Sequence, residues 1–489
     1  MLSETTDIQA IIVTGFGYLP WSRYLFLHAD ESGSAQAWLA DVAPTITHSS
    51  WRKGPDGRTV KPHSAVNIAI SCQGLVALGL NSAAIQTFPE ELVQGMGMKA
   101  RARRLGDNGA SDPSQWELGN PGVPPNQVTH FLLILQTATE PELDRLEKEC
   151  QTKNDLYRLR NVVPPETGRP LPLQKEHFGF HDSISQPEIE ETPKSVNPGA
   201  EYLKTGEFIL GYENEYGLFP ATPMVSADLD VYRNLVDIGA KSGTGMQSMK
   251  DLGRNGSYLV FRKLEQDVAA FRRFIIENAD KDNPDLLGAK MVGRWPSGTP
   301  LVKAPSHDDA APVDPPTNDF DYTTTDTFGY SCPLGAHIRR ANPRDAMADR
   351  FPGDSIRDSR RHRILRRGTP YGNPLAPGTP DEGGNRGLLF ICVNADIKRQ
   401  FEFVQQTWIN NPKFHGLTND RDPIIGDNLE PTEVGPTELR TFTIQRDGDR
   451  TRIKNIPRFV KMKGGGYFFI PSIRTIYFLA AKPPEHSVL

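Results

Sequence analysis

Cysteine is scarce in this sequence. There are four in 489 residues, Cys72, Cys150, Cys332 and Cys392, far apart and in apolar or helical contexts. Without Cys-x-x-Cys or Cys-x-x-Cys-His there is neither zinc-ribbon spacing nor a covalent c-type haem attachment. The four read as reduced, mostly buried thiols of a reducing compartment. No His-x-His occurs among the 11 histidines, and the one His-x-x-x-His, His177 to His181, brackets the turn-prone Phe178-Gly179-Phe180, so a zinc or non-haem iron centre has too few nearby ligands. Charge of one sign is also missing: 55 basic against 60 acidic residues argues against nucleic acid or an anionic membrane as partner. An apolar run of roughly 18 residues is absent, so no transmembrane helix is expected. The opening Met1-Leu2-Ser3-Glu4-Thr5-Thr6-Asp7 has no basic region, twin arginine or cleavage site. A cytoplasmic location is therefore expected unless a targeting segment has been trimmed.

What the chain does have is a rhythm of strands and helices. The first half offers an apolar run at 8–16 and a strand around 24–27. A helix follows over 35–42, then a strand at 65–70, a helix at 72–80, a strand at 129–135 and an amphipathic helix at 140–153. The second half offers strands at 206–211 and 257–262, a helix at 264–279, a strand at 387–393, a helix at 397–409 and a strand at 467–470. Strand, helix, then a strand paired with the first is the pattern of split β-α-β units. The pair 24–42 resembles 257–279, and 65–80 resembles 387–409. The expected fold is α+β: two ferredoxin-like halves, antiparallel sheets with peripheral helices. The expected domains are 7–165, a linker at 166–200, and 201–485. Long Pro- and Gly-rich loops lie at 105–127, 187–200, 299–321 and 370–386, where function often resides. The arginines of 354–367 are interrupted by Asp354 and Asp358 and lack interleaved aromatics, unlike a nucleic-acid patch. Gly464-Gly465-Gly466 precede a strand and not a helix, so they make no phosphate cradle.

Three stretches carry chemistry. His337 follows the small, turn-prone Pro333-Leu334-Gly335-Ala336, flanks that allow close backbone approach to a flat cofactor. Haem needs one protein ligand, so a single histidine suffices; the competing reading is a hydrogen-bonded core histidine, with Cys332 a small core residue. Asp182 sits among Phe178, Phe180 and Ile184, surroundings that suit a group handling protons; the competing reading is a turn cap before Pro187. His181 is a rival acid–base group. Arg366, in Ile364-Leu365-Arg366-Arg367-Gly368, follows two apolar residues, so one arginine of the pair could point inward and stabilise developing negative charge. A structural salt bridge is the alternative. An imidazole for iron, a carboxylate for a proton and a fixed cation are together what a peroxide-cleaving haem site needs.

Jointly these stretches resemble the dye-decolourising peroxidase family. Phe178-Gly179-Phe180-His181-Asp182-Ser183-Ile184-Ser185-Gln186-Pro187 resembles its Gly-x-x-Asp-Gly signature. Ala336-His337-Ile338-Arg339 resembles the proximal histidine segment, and Ile364 to Gly368 the distal arginine segment. Lys463-Gly464-Gly465-Gly466-Tyr467-Phe468-Phe469-Ile470-Pro471-Ser472 resembles the final core strand. The resemblance spans nearly the whole chain. It implies non-covalent haem b, one per chain, in the C-terminal half, with His337 as axial ligand to the iron. It implies Asp182 as distal proton shuttle and Arg366 as charge stabiliser. Asp422, or failing that Asp427, would hydrogen-bond the ligand histidine, and Arg339 and Arg344 would pair with haem propionates. The implied activity is reduction of hydrogen peroxide and oxidation of dyes, phenols or other bulky one-electron donors through an oxoferryl state. For bulky donors the electrons would come through some of the six tryptophans and thirteen tyrosines. The alternative is a haem-binding or haem-handling protein of the same fold with little turnover. A homodimer fits the family; packaging in a protein shell by the tail 482–489 is not expected. One departure is Ser183, where the signature has glycine. If that backbone needs positive φ, serine should cost about 1 kcal/mol; otherwise its hydroxyl could bond Asp182.

Overall fold

The computed structural model describes residues 4–51, 60–192, 201–238, 248–308, 318–347, 352–380, 383–428 and 440–483. In the first half, β1 (Trp21–Ala29) leads to α1 (Ser32–Val42), β2 (Ser64–Ile70), β3 (Phe131–Thr137), α2 (Glu140–Leu156), β4 (Leu159–Asn161) and β5 (Glu166–Gly168). The strands pair antiparallel, β2 to β3, β3 to β1, and β1 to both β4 and β5. The second half repeats this with β6 (Ser257–Gln266), α3 (Val268–Asn278), β7 (Leu365–Arg366), β8 (Thr369–Tyr371), β9 (Gly387–Asn394), a helix over 398–409 and β10 (Val460–Ile470). Here β7 and β8 pair with β9, β9 with β6, and β6 with β10. In each half the third strand lies between the second and the first, and the fourth flanks the first. This is the ferredoxin-like arrangement.

The repeat corrects one expected correspondence. The strand and helix of 387–409 match 131–156, the third strand and second helix of the first half, and not 65–80, which carries the second strand. Short helices after β2, beginning with Cys72–Ala77, imitate the strand–helix pattern there. Just past the expected boundary at 165, β5 pairs with β1, and residues 193–200 of the expected linker lie outside the described residues.

Single residue pairs, Phe469 with Ile70 and Tyr371 with Gly168, join the two sheets at both edges and close them into one barrel-like layer pair. This explains why the strands read as unbroken apolar runs. On β1, Leu25 and Leu27 face Trp38 and Leu39 of α1, while Tyr24 and Phe26 face the other sheet. The Phe26 and Phe261 rings meet edge-on there, 5.0 Å between centroids. At about 25 cal/mol per Å², burying both faces of such strands supplies most of the driving force for this fold.

Two segments differ from expectation. Residues 206–211 are no strand: Thr205–Glu207 is a 3₁₀ turn and Phe208, Ile209 and Leu210 are buried in irregular backbone, where Leu210 N donates to Gly256 O. A short apolar run cannot by itself distinguish such a plug from a strand. Gly464, Gly465 and Gly466 lie inside β10 rather than before it. A Cβ on Gly119, which has φ +77°, would come 2.0 Å from Gly465 O, and Gly465 N donates to Leu118 O. The glycines let the 116–119 segment lie directly on the strand.

A histidine pair links β1 to the start of β3. His130 stacks on His28 at 4.1 Å, and its Nδ1 accepts from Ala29 N. Burial, then the neighbouring His28, pushes the His130 pKa down to about 4. A lowered histidine pKa means the unfolded chain binds the proton first. The stability involved is present above pH 6.5 and lost as pH falls toward 4, on the order of 3 kcal/mol. The gap in urea midpoint between wild type and His130→Gln is expected to narrow over that window; a constant gap would remove His130 as the acid-sensitive group.

Candidate active site

The distal wall is a tight loop closed by Asp182 N donating to Gln174 O and Glu176 N to Phe180 O. The Glu176 carboxylate fills it, accepting from Phe178 N (2.9 Å), Phe180 N (3.0 Å) and Gln266 Nε2 (2.6 Å). Burial raises the Glu176 pKa, against the pull of those donors. Phe178 stacks on Phe271 of α3, centroids 4.5 Å apart, so the loop is pinned to the helix. Glu176 was not singled out from sequence. Its signal is an acid two residues before an aromatic-Gly-aromatic turn, where two amides need an acceptor.

Asp182 follows directly. Its Oδ1 accepts from Ser183 N (2.6 Å) and lies 3.5 Å from Arg366 Nη1. Arg366 is fixed at its backbone by Gln186 Oε1 and at Nη2 by Ile184 O. The strand alternation of β7 sends its neighbour Arg367 the other way, to the carbonyls of Ile11 and Ile12. Ser183 does sit at positive φ, 64°, and Ser185 at 66°. The backbone amide of Ser183, not its hydroxyl, is what bonds Asp182. Ser183→Gly is therefore expected to be neutral to about 1 kcal/mol stabilising, since relief of strain outweighs the added freedom of the unfolded chain. Ser183→Val should cost about 1–3 kcal/mol at the same backbone angle. Chemical denaturation of both checks this; equal midpoints would mean no strain is stored there.

On the proximal side, α4 (His337–Ala341) begins with His337. Its Nδ1 is 2.9 Å from Asp422 Oδ2. Asp422 is fully buried, and its Oδ1 accepts from Ile424 N and Ile425 N, both at 2.9 Å. Burial alone would raise the Asp422 pKa; His337 and the Ile425 amide hold it below the ordinary value. Asp427 is engaged elsewhere, by Arg458 at 3.1 Å and Asn108 at 2.9 Å.

His337, Asp182 and Arg366 line one cavity of about 270 Å³, walled largely by Phe178, Phe180, Phe390, Phe401, Ile338 and Ile424. Arg344, Arg363 and Arg294 also line it. Arg344 donates to Asn318 and Phe320 carbonyls, and Arg363 to Glu201 and Ser185 O. Burial, then Arg344, lowers the Arg294 pKa to about 10. Arg339 does not line the cavity, against expectation. It is buried in an ion pair with Asp326 (3.1 Å), bonds Cys332 O and packs on the Tyr322 ring. Two residues along a helix turn a side chain through about 200°, away from the direction of His337. The arginines nearby in sequence are likewise paired with acids, Arg360 with Glu215 and Arg361 with Asp358, and make no open basic patch.

Residues 240–418 match the family model described as Dyp-type peroxidase, C-terminal. A dye-decolorizing peroxidase of Mycena epipterygia is 30% identical, over 98% of this chain and 87% of that protein. The Multifunctional dye peroxidase DyP2 of an Amycolatopsis species is 36% identical, over 83% and 80%. This chain belongs to the dye-decolourising peroxidase family. It is a peroxidase, and the family's members are haem enzymes. Among solved structures, a dye-decolorizing peroxidase complexed with 2,6-dimethoxyphenol superposes with a TM-score of 0.75 at 27% identity, over 98% of this chain and all of that one. The DyP-type peroxidase of an Anabaena species gives 0.72 at 26%, over 97% and 94%. Family membership decides for the peroxidase over a haem-handling protein of the same fold. Among the described residues, no helix is long and apolar enough to cross a membrane.

Proposed function

We propose that this peroxidase would hold one non-covalent haem b in the cavity, with His337 as the protein ligand to its iron, and oxidises bulky dyes or phenols with hydrogen peroxide. The observation that carries this is a single apolar cavity lined by both the His337–Asp422 pair and the Asp182–Arg366 pair. The donor set fits haem. Asp422 holds the proton on Nδ1 and leaves Nε2 with its lone pair, as an iron ligand requires. Among the described residues, no group of three His, Cys, Asp or Glu could hold a bare ion, which suits an iron whose other ligands come from a macrocycle. Apolar walls suit the ring, and the Arg344 guanidinium on the cavity wall suits a propionate. Arg339, held by Asp326, does not serve that purpose.

Haem held by His337 would supply the two electrons needed to split the peroxide, to be replaced one at a time by the donor. The chain's residues do the rest. Asp182 takes the proton from one peroxide oxygen and hands it to the other, so that water can leave. Arg366 donates toward the oxygen on which negative charge grows, and Ile184 O keeps its fork in place. Glu176 keeps the loop closed so that Asp182 stays beside Arg366. The family match supports a bulky aromatic donor, and 2,6-dimethoxyphenol is a suitable probe because a relative binds it. The four free cysteines support a reducing, cytoplasmic setting.

The test is haem-reconstituted protein mixed with hydrogen peroxide and a dye or 2,6-dimethoxyphenol. Rapid donor oxidation is expected, lost in His337→Ala and slowed about 10²–10³-fold in Arg366→Leu, as for removal of one preorganised charge donor. A wild-type protein that binds haem yet leaves both peroxide and donor unconsumed would overturn the assignment of this cavity.

A further inference from the structure

Arg340 lies one turn beyond His337 and is fully buried. Its guanidinium is held mainly by backbone carbonyls. Nε donates to Gly335 O (3.2 Å), Nη1 to Trp408 O (2.7 Å) and Asn411 O (3.1 Å), and Nη2 to Asp420 O (2.7 Å). These carbonyls come from three segments. Gly335 precedes α4, Trp408 is in the last turn of the 398–409 helix with Asn411 just beyond it, and Asp420 is two residues before Asp422. Asp422 N in turn donates to Ile409 O at 3.0 Å. The Phe414 ring covers the cation at 5.0 Å. Burial lowers the Arg340 pKa to about 10, opposed by Asp422 and Asp420, so the group stays charged near neutrality.

A cation so placed is costly to bury, and an apolar side chain would pack there at less cost. What the guanidinium adds is a rigid planar fork reaching three chain segments at once, which the single ammonium of lysine cannot reproduce. Those segments carry the two ends of the His337–Asp422 hydrogen bond. The carbonyl of Trp408 also lies at the negative end of a helix, which suits a fixed cation.

We propose that Arg340 is a positioning residue for the axial ligand: its fork holds the histidine helix and the Asp422 loop in register, and so sets the strength of the His337–Asp422 bond. The inference rests on His337 being the haem ligand. Arg340 itself touches neither haem nor peroxide and acts through Asp422.

The experiment compares wild type, Arg340→Lys, Arg340→Met and Asp422→Asn as reduced, haem-loaded proteins by resonance Raman. The iron–histidine stretching band reports the histidine's hydrogen bond directly. Both Arg340 variants are expected to move that band at least half of the way from the wild-type position to that of Asp422→Asn. Haem release should quicken about 10-fold, the usual consequence of losing a ligand's supporting contact. Lysine keeps the charge and loses the fork, so a wild-type band in Arg340→Lys would overturn the proposal. Should Arg340→Met bind no haem, the ¹⁵N shifts of the His337 ring in the haem-free variant give the same reading. A ring whose proton stays on Nδ1 with the wild-type shift counts against the proposal, and a redistributed proton counts for it. A wild-type protein with no iron–histidine band would instead remove His337 as ligand, which is a separate failure.

Discussion

Asp182→Asn is expected to slow the reaction with hydrogen peroxide about 10²–10⁴-fold, the range for removal of a positioned general acid–base group. Haem binding should not change. The substitution preserves shape: the amide oxygen can still accept from Ser183 N, which Asp182 Oδ1 does at 2.6 Å. That oxygen is also the one 3.5 Å from Arg366 Nη1, so what is lost is the ability of the side chain to take up and release a proton, together with the negative charge beside Arg366. Stopped-flow mixing with peroxide measures the rate, with the absorption spectrum and the melting temperature of the resting protein as controls. His181 is the nearest rival. It lines the same cavity, but its Nδ1 contacts the Asp182 carbonyl, not its carboxylate. A rate within a few-fold of wild type in Asp182→Asn, together with a large loss in His181→Phe, would transfer the proton role to His181.

The Asp182 and His337 candidates were available from sequence because the family resemblance rests on short stretches, Phe178 to Pro187 and Ala336 to Arg339, while the neighbours alone left a turn cap and a core histidine open. Asp182 lies between Phe180 and Ile184, and His337 follows a turn of small residues. The strand–helix rhythm was legible for the same reason, since β1 with α1 and β6 with α3 are local patterns. What was not legible depended on partners far along the chain. The order of strands depends on pairings such as Tyr258 with Phe469, 211 residues away, and no local period encodes it. The mismatch of 65–80 with 387–409 arose there. Direction was equally hidden. Arg339, Arg340 and Arg344 are near neighbours in sequence, yet one pairs with Asp326, one grips backbone carbonyls and one lines the cavity. Helical rotation separates the first two, and a positive φ at Arg344 turns the third. Glu176 went unnoticed because its role is to satisfy two amides of its own loop, which shows only once the loop closes.

Asp422→Asn is expected to lower haem affinity and peroxide turnover about 10–100-fold, although the residue touches neither. The reason is that the asparagine cannot satisfy all its neighbours. Asp422 Oδ1 accepts two amides, from Ile424 and Ile425, and Oδ2 accepts from His337 Nδ1. If the new oxygen keeps the two amides, the –NH₂ faces His337 Nδ1, which must then be an acceptor. The ring proton moves to Nε2, and the nitrogen needed by iron loses its lone pair. If the oxygen turns to His337 instead, the –NH₂ meets two N–H groups in a fully buried site, a loss of about 1–3 kcal/mol for each donor left unpaired. Either orientation also removes the negative charge that offsets buried Arg340. Haem transfer to an excess of a scavenging globin measures release, and turnover follows under the same peroxide assay. Asp427→Asn is the control, since Asp427 pairs with Arg458 and Asn108 and makes no contact with His337. Faster haem release in Asp422→Asn alone is the expected result. Equal release rates in the two variants would mean that loosening the 420–428 loop, and not the loss of a carboxylate on His337, weakens the site.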